Sequence, residues 1–306
     1  MTYLQPLVSI ALCSYNGAKF IIDQINSIQL QTYPNLEIII VDDCSTDNTW
    51  NLVTNLAAED SRIKAYKNEV NIGFNKNFEK AISLCSGDYI AISDQDDIWM
   101  PIKIDTLVKN IGDKGVIFSN SQYIDEQGQL LNKYLLYDFN LSHYQCFKSI
   151  LLHNILTGHT TMFRKKFSEQ LLPIPQNGYY DWWLAFIGIY NNELIYLNEV
   201  LTYYRIHANS VIQKEAETEK RIGRQALRLK IVKTQIKAFL EYKRLTQNDR
   251  EFLMSFYESH NTIEHKSFIF NIFMFKNFFS LYPDRRRKRL LSNVVFFIKK
   301  CLNKNF

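Results

Sequence analysis

The 306-residue sequence has five cysteines, at 13, 44, 85, 146 and 301, and no two of them form a CxxC pair. That argues against a disulfide framework or a zinc module and favours reduced thiols in an intracellular protein. No GxxxxGK[ST] loop occurs, which excludes P-loop phosphate chemistry, and no GxGxxG follows the first strand-like run. No uninterrupted apolar stretch approaches the ~20 residues a spanning helix needs. The opening "MTYLQPLVSIALCSYNG" lacks a basic n-region, so a cytoplasmic protein, soluble or peripheral to the membrane, is expected. Repeats and low-complexity linkers are missing as well.

Hydrophobic residues make up 46% of the chain, enough for a substantial core. Charge is divided unevenly. Residues 1–213 carry 15 Lys and Arg against 22 Asp and Glu, whereas residues 214–306 carry 21 against 9. The split predicts an acidic catalytic domain over 1–213 and a basic helical region over 214–306 suited to anionic surfaces.

The first half alternates two periodicities. Strand-like runs at 7–15, 36–43, 63–68 and 88–94 are separated by helix-like stretches at 18–31, 45–59 and 75–85. This βαβαβαβ order implies a mostly parallel, doubly wound α/β sheet, with ligands at the carboxyl ends of its strands. Further strands are expected at 115–125, near 160 and at 201–207, with a helix in "YYDWWLAFIGIY".

Two of these strands run straight into acid: "LEIIIVDD" and "DYIAISDQDD". An isolated Asp-x-Asp is often only a turn. Two acidic strand ends side by side instead suggest a hard divalent cation, held by carboxylates and substrate phosphates. "DQDDI" also approaches the DxDx[TV] of aspartate-nucleophile phosphatases, with Asp94 as attacking group, but it closes the fourth strand rather than the first.

The stretches "PLVSIALCSYNGAKFIIDQINSIQLQTYPNLEIIIVDDCSTDNTW" and "NIGFNKNFEKAISLCSGDYIAISDQDDIWMPIKI" resemble the family 2 inverting glycosyltransferases of the GT-A fold. "SDQDDIW" and "YYDWWLA" resemble a bacterial, rhamnosyltransferase-like branch that builds surface polysaccharides. The resemblance implies a GT-A type sheet and a UDP- or dTDP-sugar donor. It also implies a glycan or lipid-linked oligosaccharide acceptor, and Mn²⁺ or Mg²⁺ as cation. By this likeness Asp43 meets the nucleotide base, while Leu12, Cys13 and Tyr15 line the base and ribose, Cys13 standing where the family often has Thr. Gly73 and Asn77 approach the donor, Asp94 sits near the ribose, and Asp96 binds the metal directly. Asp181 falls at the general base, although a helix cap is its plain structural reading. Trp182 offers a face to the acceptor sugar, and His159 lies in an acceptor-side loop. His207 completes the metal or diphosphate site or is simply structural, and Arg205 contacts phosphate or pairs with a carboxylate.

Five consecutive basic residues, Arg285 to Arg289, precede Leu290, Val294, Ile298 and Leu302 at a spacing of four. This reads as an amphipathic helix for an anionic membrane surface. No nucleic-acid motif accompanies the charge, so no such partner is expected. The expectation is an inverting, metal-dependent transferase acting on a bacterial surface glycan. The alternatives are the phosphatase and a non-catalytic nucleotide-sugar-binding protein.

Overall fold

The computed structural model describes residues 5–136, 141–208, 218–220, 222–261, 268–283, 292–293 and 295–296. Two compact units result: Met1–Tyr137 with Leu156–Gln176 and Asn191–His207, and Asp138–Ile155 with Asn177–Tyr190 and Ala208–Phe306. The C-terminal region therefore shares its unit with two earlier segments of the chain.

The first unit begins β1 (Val8–Ser14), α1 (Ile21–Gln29), β2 (Leu36–Asp42), α2 (Thr49–Glu59), β3 (Ile63–Lys67), α3 (Phe74–Leu84) and β4 (Tyr89–Ser93). Every residue of β1, β2 and β4 is buried, as expected of parallel strands covered on both faces. β1 lies between β2 and β4, parallel to both, with Ser14 opposite Asp42 and Leu12 opposite Ser93. That register brings Tyr15, Asp43 and Asp94 out at one rim, where the strand order reverses and a crevice is expected.

After β4 the chain forms β5 (Ile98–Trp99), α4 (Lys103–Asn110), β6 (Val116–Ile124), β7 (Leu130–Tyr134), β8 (Thr161–Arg164), α5 (Ser168–Leu171) and, beyond the excursion into the second unit, β9 (Leu194–Arg205). The nine strands are ordered β3-β2-β1-β4-β8-β6-β9-β5, with β7 paired to β6. β8 runs antiparallel to both its neighbours, β6 and β9 pair in parallel, and β5 pairs antiparallel to β9. Most paired residues are parallel, as the alternation predicted. The acidic turn after β4 spans from the parallel half of the sheet to β5 and β9.

One face of the sheet is closed by Ile21, Ile25 and Ile28 of α1 and by Ile104 and Leu107 of α4, all essentially inaccessible to solvent. Burial of each such side chain stabilises by roughly 1.5–3 kcal/mol.

The second unit is helical: α6 (Tyr180–Tyr190), α7 (Arg224–Leu240), α8 (Gln247–Asn261) and α9 (Phe268–Leu281). α6 is apolar nearly all round and buries nine residues, the pattern of a core helix. Phe186 stacks on Phe239 with centroids 4.2 Å apart. Among the described residues no helix is long and apolar enough to cross a membrane. Of the amphipathic segment expected near the C-terminus, only Ser292, Asn293, Val295 and Phe296 are among the described residues.

Candidate active site

The turn after β1 is built on Asn16 in the left-handed region (φ 49°) followed by Gly17. A side chain at Gly17 would collide with the amide of Gln95. That amide accepts a hydrogen bond from Tyr15 N at 2.8 Å and donates to Tyr15 O at 3.1 Å. Gln95, between the two acids of the motif, thus locks the acidic turn to the β1 turn. Tyr15 itself is 47% exposed and free to stack.

At the end of β2, Asp42 accepts hydrogen bonds from the hydroxyls of Ser14 and Ser45 and from Ser45 N. Asp43, 3% exposed, accepts from Asn68 Nδ2 at 2.8 Å, Ile72 N at 2.9 Å and Gly73 N at 2.9 Å. Gly73, at φ +80°, opens α3. Asn77 donates to Val41 O and accepts from Asn68, so its side chain is engaged at both ends. Leu12 is wholly within the core. Cys13 is buried between the two acidic ends: burial first, then Asp94 and Asp43, push its thiol well above the usual range.

At the end of β4 the acids divide their roles. Asp96 Oδ2 lies 2.7 Å from His207 Nε2, and the His207 ring rests 4.7 Å from that of Phe20. Asp97 is fully buried, and its Oδ1 accepts from Arg205 N at 3.1 Å. Its Oδ2 has no hydrogen-bond partner. His159 Nδ1 stands 3.6 Å from Asp97 Oδ2 and 3.6 Å from Asp94 Oδ2, and its Nε2 is 3.1 Å from Ser121 Oγ. Burial, opposed by His159 and reinforced by Asp96 and Asp94, pushes the Asp97 carboxyl up to about 7. Burial works against the charged form of His159, but Asp97 and Asp94 outweigh it and raise its pKa. Arg205 is engaged as well: it donates to Asp96 O and Glu126 O and reaches Asp23 Oδ2 at 3.4 Å. It braces the acidic turn, the pairing side of the sequence expectation.

Two expectations are corrected. The His159 ring, 1% exposed, lies beneath the acidic turn, and an acceptor sugar does not reach a ring at that depth. Trp182 is buried too, its Nε1 donating to Ile150 O at 2.7 Å; Trp183 packs edge-on to Tyr242. Neither indole offers a sugar platform. Asp181 lies in the first turn of α6, inside the helix rather than before it, with Oδ1 accepting from Trp182 N. The sequence reading missed Asp97, Gln95 and Lys103.

A divalent cation fits this donor set. Asp96 and His207 present one carboxylate oxygen and one imidazole nitrogen to the same point, a combination taken by Mn²⁺ more readily than by Mg²⁺. A second group, Asp94, Asp97 and His159, has ligand atoms within 4.8 Å of one another. There the imidazole already occupies the space between the carboxylates.

The family model described as glycosyl transferase family 2 matches residues 9–172. A Haemophilus influenzae protein described only as a glycosyltransferase is 31% identical over 72% of this chain and 73% of its own. An Escherichia coli UDP-Glc:α-D-GlcNAc-diphosphoundecaprenol β-1,3-glucosyltransferase, WfaP, is 32% identical over 67% of this chain and 79% of its own. Among solved structures, a mannosyltransferase from Pyrobaculum calidifontis in complex with GDP-Man and Mn²⁺ superposes with a TM-score of 0.58 at 16% identity, covering 99% of this chain and 89% of the other. The Staphylococcus aureus TarS fragment with UDP-GlcNAc gives 0.56 at 15% identity, covering 97% and 82%. These two show a shared fold.

Proposed function

We propose a specific reaction for this chain on the premise that it belongs to glycosyl transferase family 2 and is a glycosyltransferase. It moves a hexosyl unit from a UDP-sugar to a lipid-linked intermediate of a bacterial surface glycan, with inversion at the anomeric carbon. The observation that carries this is the convergence of Asp96 with His207 at the rim where Tyr15 and Asp43 also emerge. The E. coli relative, whose name prints a UDP-Glc donor, a diphosphoundecaprenol acceptor and a β linkage, supports the choice of donor, acceptor and stereochemistry.

In this reading Tyr15 stacks on the nucleotide base and the Asp43 carboxylate orients it. Asp96 and His207 hold the divalent cation, which when bound supplies the positive charge that stabilises the departing diphosphate. The acceptor oxygen forms a bond to the anomeric carbon as the bond from that carbon to the phosphate oxygen breaks. The proton of the attacking hydroxyl passes to the Asp181 carboxylate, and the nucleoside diphosphate leaves with the bonding pair. Aspartyl-phosphate chemistry at Asp94 has no place in this family. The basic C-terminal region is proposed to hold the enzyme at the inner face of the membrane. On that account, removing residues 284–306 releases it from anionic vesicles, and salt weakens the intact protein's association.

The test is product formation from UDP-glucose, dTDP-rhamnose and GDP-mannose, each with Mn²⁺ and with chelator, on a polyprenyl diphosphate-linked GlcNAc. Transfer from UDP-glucose is expected only with the cation. Transfer from dTDP-rhamnose alone would restore the rhamnosyl reading. No turnover of any donor, even to water, would favour a binding protein.

A further inference from the structure

Lys103 opens α4 and is completely buried. Lysines are almost never buried to this degree without an ionic partner. Among the described residues no carboxylate forms an ion pair with this one. Its ammonium lies 3.5 Å from the centre of the Trp99 ring and donates two hydrogen bonds, to the carbonyl of His159 and to Thr202 Oγ1 at 2.9 Å. The two acceptors belong to different elements. His159 is the middle residue of a 3-10 turn, Gly158–Thr160, before β8, whereas Thr202 sits in β9 opposite Trp99.

Those two elements hold the acidic turn from opposite sides. The His159 ring faces Asp94 and Asp97 at 3.6 Å. Three residues past Thr202, Arg205 binds Asp97 through its backbone N–H and the Asp96 carbonyl through Nε. Two residues further, His207 meets Asp96. We propose that Lys103 is a positioning residue of the donor site: by tying the Gly158–Thr160 turn to β9, it sets the separation at which Asp94, Asp96 and His207 meet the diphosphate. The inference rests on the donor-site reading above and assigns Lys103 no contact with substrate. An ammonium suits this task because it donates in several directions from one point and, once buried, cannot trade either acceptor for water. An apolar side chain of the same length fills the volume but leaves the turn and the strand untied.

The experiment uses the full chain and UDP as probe. Calorimetric titration with UDP, with and without Mn²⁺, is compared for wild type, Lys103→Met, Thr202→Val and Thr202→Ser. Leu107→Ala, a buried α4 substitution away from the site, serves as a control for simple destabilisation. Lys103→Met is expected to weaken Mn²⁺-dependent UDP binding at least tenfold. Thr202→Val is expected to weaken it several-fold, with Thr202→Ser restoring it. Leu107→Ala is expected to lower the melting temperature while leaving UDP affinity unchanged.

A folded Lys103→Met protein with wild-type UDP affinity overturns the proposal. If that variant does not fold, Thr202→Val decides, and wild-type affinity there overturns it equally. Leu107→Ala losing affinity as much as Lys103→Met also overturns it, because destabilisation alone would then explain the loss. Wild-type protein that binds UDP identically with and without Mn²⁺ defeats the metal reading separately. The Lys103 comparison is then judged on metal-free affinity by the same criteria.

Discussion

At the end of β2 two carboxylates are met by hydroxyls, an amide and backbone N–H groups; at the end of β4 three are met by an arginine and two histidines. Asp42 and Asp43 together accept hydrogen bonds from Ser14, Ser45, Asn68, Ile72 and Gly73. Those neutral donors satisfy the oxygens and fix two loops without adding charge. The β4 end is different in kind. Asp97 Oδ2 is buried with no hydrogen-bond partner, and its closest cationic neighbour is His159 at 3.6 Å. Two unit charges ~4 Å apart attract by about 4 kcal/mol at an effective dielectric near 20. Desolvating a buried ion costs several kcal/mol, so such a pair does little more than break even. The β2 end is a scaffold that also presents one carboxylate to a base. The β4 end is held under electrostatic tension, with Asp96 turned toward His207 and suited to a cation.

The largest effect is expected outside both strand ends, at Asp181. If neither acidic cluster supplies the base, Asp181→Asn should lower the turnover number roughly 10²–10⁴-fold, the contribution of a positioned general base. UDP affinity should be unchanged. A carboxylate serving only the first turn of α6 is worth about 0.3–1 kcal/mol of stability, and Asn there would leave turnover near normal. Next comes Asp96→Ala, which removes the outward carboxylate of the β4 end. Mn²⁺-dependent UDP affinity should fall on the order of a hundredfold, since even outer-shell partners of a metal cost 10–100-fold. A titration in Mn²⁺ that superposes on wild type would remove Asp96 from the cation site.

Asp42→Ala sharpens the contrast from the other side. It strands two buried serine hydroxyls and the N–H of Ser45, so it should destabilise by about 1–3 kcal/mol. UDP affinity of the folded fraction should stay within a factor of two or so, because Asp42 is fully buried and serves only the turn. The readouts are the urea midpoint and the same UDP titration. A stable variant that has lost UDP would reverse the assignment of the two ends.

The strands of the parallel half were legible because β1, β2 and β4 are apolar runs cut off by Ser or Asp, and burial on both faces leaves little else for such runs to be. The start of α1 was read three residues early, since Phe20 N and Ile21 N both bond to the carbonyl of Gly17 in a turn. β5 and β7 were not read, being respectively two residues long and largely exposed. In the site, Asp96 and His207 could be read from motif and position. Lys103, Asp97 and Gln95 could not, because what makes them matter is a partner 56, 108 or 80 residues away. Trp182 was misjudged although the signal was present. A helix reading "YYDWWLAFIGIY" is apolar on every face, and that pattern predicts an indole in the core rather than on a sugar.

The smallest expected effect, at the far end of β2, tests the claim that hydrogen-bonded carboxylates here are stability devices. Glu37 is buried beside Ser9 and Ser86. Burial alone would push its carboxyl up, but hydrogen bonds from Ser9, from the backbone and hydroxyl of Ser86 and from Lys64 outweigh it and hold the group at about 2. A carboxyl whose folded pKa is depressed adds stability above its ordinary value of 4.5, and that stability is lost as pH falls from there toward 2. Part of this is screened, since the Lys64 ammonium stands in solvent. Glu37→Gln keeps the size and one acceptor oxygen but cannot titrate. Its urea midpoint should therefore lie below wild type at pH 7, and the two should converge as pH is lowered through the 4.5 to 2 window. A constant gap between the two proteins across that range would mean that Glu37 contributes shape rather than charge. The hydroxyl-lined carboxylates of β2 would then have to be explained by packing.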